Sequence, residues 1–279
     1  MMNINKPTDN VIKVFEDCIS NFEDETFKAK LQSISSYIQN STDNYEIKAA
    51  SNSLYSLSPS TDVNGIVTMK EMKNVYENKL VKKKQPGRKY YDKLKLAAKN
   101  RKCPLCGERT VSSLDHVLPK TKYPVFAVSP INLIPACADC NKIKDTYQPT
   151  SSDTEIIHPY YDDISDQQYL FASVNEISPP SLQFYIKTSP VETMIEKRLK
   201  VHFNLFELND LYSSHAAEEL SGIQYRLSKL HRSNGMASVQ EHLYEEYQSQ
   251  FMNNKNSWKT AMYKALSESH WFCNGGFLF

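Results

Sequence analysis

Four of the six cysteines in this 279-residue chain stand in two Cys-x-x-Cys pairs, Cys103 with Cys106 and Cys137 with Cys140. Four thiolates at this spacing close a tetrahedral shell around Zn(II) and leave no open position, which makes a structural site. The plainer reading is four unrelated buried thiols. Turn-forming Gly107, Asp139 and Asn141 beside the pairs count against it. Cys18 and Cys273 lie in apolar surroundings and read as ordinary buried thiols.

A filled zinc shell hydrolyses nothing, so chemistry here needs a second, open metal and a base. Between the pairs runs Leu114-Asp115-His116-Val117-Leu118-Pro119-Lys120. A carboxylate suits a hard divalent cation such as Mg(II). A neutral imidazole suits activation of water near pH 7. Adjacent strand residues point to opposite faces, so Asp115 and His116 share a task only where the strand bends. Asn141 directly follows the second pair and opens a helix that carries Lys144 on the same face. The Asn141 carbonyl oxygen suits the same cation, and Lys144 suits a phosphate. Singly, these residues read as a turn acid, a structural histidine, a cap and a solvated charge. Their joint order carries the argument.

That order, Cys-x-x-Cys, Asp115-His116, Asn132-Leu133, Cys-x-x-Cys-Asn141 and Lys144, occupies residues 103–147 and resembles the HNH endonuclease family, especially its zinc-bearing members. The resemblance implies a ββα-metal unit that hydrolyses phosphodiesters and leaves 5′-phosphates. It implies His116 as general base, Asp115 and Asn141 as ligands of a catalytic metal, and Asn132 as a brace for the hairpin loop that orients the base. Asparagine at the third signature position favours Mg(II) or Mn(II) over a softer ion. The later segment Ile157–Asp163 looks like an element of some bacterial HNH proteins, including ones associated with phage defence; His158 within it reads as a structural turn histidine.

The elements around this segment must hold it and present a substrate. The formal net charge of +1 is uninformative, but its distribution is not. Residues 79–102 hold eleven cations against the single anion Asp92, whereas residues 1–78 hold eleven acids and seven bases. A basic run entering the first knuckle is placed to grip a phosphate backbone, so Arg88 and Lys89, with Lys120 and Lys144 of the 103–147 segment, are the expected substrate contacts. DNA is favoured over RNA as substrate.

With 40% hydrophobic residues the chain can bury a sizeable core, and 7 glycines argue against a propeller or a turn-rich sandwich. The expected class is α+β and mainly helical: an N-terminal helical region (1–78), a basic helix with the zinc-bearing nuclease unit (79–150), an irregular connector (151–190) with a strand at 182–186, and a C-terminal helical region (191–279). Residues 58–66 read as a linker. Leu220, Ile223, Leu227 and Leu230 form a stripe expected to face the core. The polar start lacks a signal-peptide core and no 18-residue apolar run occurs, so no membrane span and a cytoplasmic location are expected.

Two other readings remain open. A zinc-stabilised nucleic-acid-binding module would need the cysteines and the basic helix, but not Asp115, His116 and Asn141 together. Alternatively, the helical flanks dock a partner, such as an ATPase or sensor subunit, that delivers the nuclease. One HNH site cuts one strand, so a double-strand break requires a homodimer or repeated nicking.

Overall fold

A computed structural model describes residues 2–165, 167–188 and 192–278. They divide into two compact units, Met1–Asp163 and Ile164–Phe279.

The first unit opens with α1 (Val11–Ile19), α2 (Glu25–Gln32) and α3 (Ser35–Ala50). Asn10 starts α1 by accepting from the amides of Ile12 and Lys13, and Asp24 caps α2 in the same way. Val14, Phe15, Cys18 and Ile19 recur at helical spacing on α1. They pack with Leu31, Ile34 and Ile38 in one core. Burying each such large apolar side chain contributes about 1.5–3 kcal/mol.

The stretch read as a linker is a hairpin. β1 (Asp62–Val63) pairs antiparallel with β2 (Val67–Thr68) across the left-handed Asn64 and Gly65, and Val63 and Val67 are fully buried. Asn-Gly at such a turn is the signal that the compositional reading passed over. α4 (Met69–Val75) follows from a Thr68–Glu71 capping box, and its last turn widens into a π-helix over Tyr76–Val81. After the Gln85-Pro86-Gly87 break comes the basic helix α5 (Arg88–Leu96). Gly87 is obligatory here, because a Cβ would stand 2.5 Å from the Cys18 sulfur.

β3 (Ser113–His116) and β4 (Leu133–Ala136) pair antiparallel, with Asp115 opposite Ile134 and His116 opposite Leu133. α6 (Ala138–Lys144) follows β4 directly. The two Cys-x-x-Cys pairs thus bracket β3 and β4, and the second pair begins α6.

The second unit pairs β5 (Leu170–Asn175) with β6 (Ser181–Ile186) and adds α7 (Met194–Leu205), α8 (Leu208–Asn253) and α9 (Trp258–Glu268). β6 coincides with the expected strand, and β5 was not foreseen. α8 is not one rod. Gly235 adopts φ 72° and ψ −162°, a conformation open essentially to glycine alone. The Ser238 hydroxyl donates to the Leu230 carbonyl at 3.0 Å, which residues eight apart in a straight helix cannot do. The helix therefore folds back as two arms. Leu220 and Leu227 of the expected stripe are buried, with Ile223 and Leu230 half-buried beside them. Among the described residues no helix is long and apolar enough to cross a membrane.

Candidate metal centre and adjoining cleft

The four thiols converge. The sulfurs of Cys103, Cys106, Cys137 and Cys140 lie within 4.8 Å of one another, and all four residues are buried and outside any disulfide. A tetrahedron with Zn–S bonds of about 2.3 Å has edges of about 3.8 Å, so a small contraction closes the shell. Each pair sits in a turn built to present sulfur. In the first, the Cys103 amide donates to Arg109 O, the Gly107 amide returns to Cys103 O at 2.7 Å, and Gly107 takes a positive φ. In the second, Cys137 is the N-cap of α6. Amides of Arg109 and Cys140 aim at the sulfurs of Cys106 and Cys137, both at 3.4 Å, as suits thiolate. Arg109, ion-paired to Asp139 at 2.9 Å, keeps a buried Nη1 with no hydrogen-bond partner near this sulfur-rich core.

Next to the thiols opens a cleft of about 340 Å³, lined among others by Asp115, His116, Lys120 and Asn141. His116 is 5% exposed, and its Nε2 lies 2.9 Å from the Ala127 carbonyl oxygen. A carbonyl only accepts, so Nε2 carries the proton and the neutral ring leaves Nδ1 as a bare lone pair. Burial pushes the His116 pKa down to about 3, with Lys120 adding to the effect. The Tyr76 ring packs edge-on against the imidazole at 4.5 Å between centroids and fixes its plane.

Asp115 and His116 line the same cleft although they are strand neighbours. The Asp115 side chain turns back along its own backbone, so that Oδ1 accepts from the His116 amide at 2.7 Å. Its other oxygen, Oδ2, is buried and faces the Lys144 ammonium at 3.3 Å. Burial holds the Asp115 carboxyl above the usual range, while Lys144 works in the opposite direction. Asn141 donates from Nδ2 to the Ser113 hydroxyl at 3.0 Å, which leaves its carbonyl oxygen as an acceptor. A buried carboxylate and an amide oxygen on one cleft are oxygen donors of the kind that fit a hard divalent cation.

Asn132 is completely buried and joins the ends of the 118–132 loop. Its Oδ1 accepts from Leu118 N at 2.8 Å, and its Nδ2 donates to Leu118 O and Phe126 O. The same loop carries the Ala127 carbonyl that holds His116.

Other expected contacts lie elsewhere. Lys144 does not reach outward to a phosphate. Its side chain is fully buried, with Nζ donating to the His116 carbonyl at 2.6 Å and standing 3.3 Å from Asp115 Oδ2. Arg88 pairs with Asp92 and with the Val81 carbonyl, and Lys89 pairs with Asp17 at 2.8 Å. Much of the positive charge on α5 is thus met by acids of the chain itself. Lys120 does line the cleft, half-buried, with its ammonium 5.1 Å from the Tyr76 ring centroid. His158 is buried against Tyr45, whose hydroxyl lies 3.1 Å from its Nε2. Sequence reasoning missed Tyr76 and Glu77, which the π-helix delivers to the cleft, and Ser113, which orients Asn141. A π-turn leaves no mark in residue spacing.

The chain is 32% identical over 239 residues to Protein ea31 of Escherichia phage lambda, an alignment covering 78% of this chain and 79% of its relative. It belongs to the ea31 family. No family model matches the chain, and no solved structure matches it. The alignment is too long for the ea31 likeness to rest on the cysteine-framed segment alone.

Proposed function

We propose that this ea31-family chain is a metal-dependent endonuclease of the HNH kind that hydrolyses phosphodiester bonds, with DNA as the favoured substrate. One observation carries the reading: a neutral, oriented His116 with a bare Nδ1 shares a cleft with the buried Asp115 carboxylate and the Asn141 amide oxygen, beside a four-thiol cluster suited to zinc. On this reading β3, β4 and α6 form the ββα unit. Asp115 and Asn141 would hold Mg(II) or Mn(II), which when bound supplies Lewis-acid polarisation of a phosphate oxygen and charge for the leaving oxygen. His116 takes the proton of the attacking water at Nδ1. The Ala127 carbonyl keeps Nε2–H in place and stabilises the imidazolium that forms. The negative charge of an entering phosphate raises the basicity of His116 from its low resting value. Lys120, at the cleft wall, meets the phosphate.

The Lys144 ammonium beside Asp115 favours a second reading, a zinc-stabilised nucleic-acid-binding module with the metal position already neutralised. Incubating the purified chain with plasmid, linear DNA and RNA, with Mg(II), Mn(II) or neither, separates the two. His116→Ala is expected to lower cleavage by about a hundred- to ten-thousand-fold while zinc content and nucleic-acid binding persist. Cleavage by His116→Ala equal to the parent's would overturn His116 as the base, and no cleavage by the parent with any of these metals and substrates would leave the binding module.

A further inference from the structure

The cations of α5 are largely neutralised, but those of α8 are not. Residues 220–240 carry Arg226, Lys229, His231 and Arg232 and no acid, and the chain from Ser269 onward carries none either. That C-terminal segment packs on the same arm: Gln224 donates to the Phe277 carbonyl at 3.0 Å, and the His231 and Phe277 rings meet edge-on. Its side chains therefore bring no acid to this arm. Arg226 acts on His242 together with Glu245 and Glu246 of the returning arm, whereas Lys229 and Arg232 make no hydrogen bond or ion pair among the described residues. Glu219, at the edge of the acid-free run, is already held by Lys259 and Tyr263.

The shape of this arm matches its charge. Ser221, Tyr225, Ser228, Lys229 and Arg232 recur at spacings of three and four along it and line a shallow concavity of about 590 Å³. Tyr225 is 81% exposed at its centre, the one exposed large apolar side chain described on this arm. Exposing an aromatic ring that fully has a cost in water, and a lone ring is a poor anchor for a protein partner, which needs a buried apolar patch. An aromatic platform flanked by unpaired cations and hydroxyls has the composition of a surface for stacked bases and phosphates.

We propose that this face of α8 binds single-stranded nucleic acid, with Tyr225 stacking on an unpaired base and Lys229 and Arg232 meeting the flanking phosphates. The proposal takes from the nuclease reading only that nucleic acid is the ligand. A duplex keeps its bases stacked inside, so Tyr225 would find no face there.

The test is fluorescence anisotropy of a labelled oligothymidylate strand with the full chain, without added Mg(II) or Mn(II). Tyr225→Ala is expected to weaken binding by about tenfold or more, since stacking is worth about 1–3 kcal/mol per base. Tyr225→Phe is expected to bind like the parent. Lys229→Gln with Arg232→Gln is expected to flatten the log–log salt slope by about 1.4, at about 0.7 for each single-strand phosphate no longer neutralised. These residues are exposed, so unchanged melting temperatures confirm that the variants are folded. Parent-like binding by Tyr225→Ala overturns the proposal. So does a charge variant that weakens strand and duplex equally while Tyr225→Ala has no effect, or competition by polyglutamate as effective as that by unlabelled strand. Cleavage is read separately through His116→Ala, so loss of the nuclease reading with binding intact leaves this inference standing, and the converse holds.

Discussion

At the residue scale the buried Lys144–Asp115 contact decides most. Removing one partner of a buried ion pair leaves an uncompensated charge, which typically costs about 3–5 kcal/mol. Lys144→Met is therefore expected to lower stability strongly, and also to strip the His116 carbonyl of its donor. If Asp115 and Asn141 hold a divalent cation, added Mg(II) or Mn(II) replaces the missing charge. Thermal melts should then show a larger metal-dependent rise in the variant than in the parent. An equal rise in both would place the cation elsewhere. This ion pair also shows where the sequence stops being legible. The spacing of Cys137, Cys140, Asn141 and Lys144 puts these side chains near one another on α6, because helical periodicity is local. It cannot say which side of that helix the fold buries, so a lysine expected to face phosphate lies inside. Tyr76 was invisible for a related reason: it meets His116 across 40 positions of chain, through an approach that only the tertiary fold creates.

At the element scale, α5 looked in sequence like a free polycation, and in the structure it is docked on α1. Asp17 accepts from Lys89, from the Tyr90 hydroxyl at 2.7 Å and from Lys13, while Lys93 reaches Asp9. The sequence showed an acidic N-terminal region and a basic run, but not that one neutralises the other, since the partners lie more than seventy positions apart. Lys89 and then Tyr90 hold the Asp17 carboxyl well below the usual carboxylate range. The folded value is depressed, so the stability that Asp17 contributes is complete above its unfolded pKa of about 4 and is lost as pH falls through the folded value. Asp17→Asn should cost about 1–2 kcal/mol near neutrality. The gap to the parent should narrow below about pH 4, as read from denaturant melts at stepped pH. A gap independent of pH would show that the ionised carboxylate is not what holds α5. The same variant frees Lys89, so any gain in nucleic-acid affinity would report how far self-neutralisation restrains this helix.

At the scale of the whole molecule, all four thiols belong to the Met1–Asp163 unit and none to Ile164–Phe279. Binding of structural zinc is folding free energy, on the order of 10 kcal/mol for such sites. Chelation should therefore abolish amide-exchange protection in β3, β4 and α6 while the β5–β6 hairpin keeps its own. Protection that vanishes equally in both would tie the two units into one cooperative system. Hydrogen exchange follows the backbone, but the fold also offers a side-chain reporter. Lys144 is the one buried lysine among the described residues, at 1% exposure. An amine-acylating reagent should modify the surface lysines quickly and reach this one only when the segment around the cleft opens. Its acylation rate, followed by mass spectrometry, is then a clock for local opening in the intact protein. Ligands that close the cleft would slow the clock, which gives a screen for substrates and metals that requires no turnover at all.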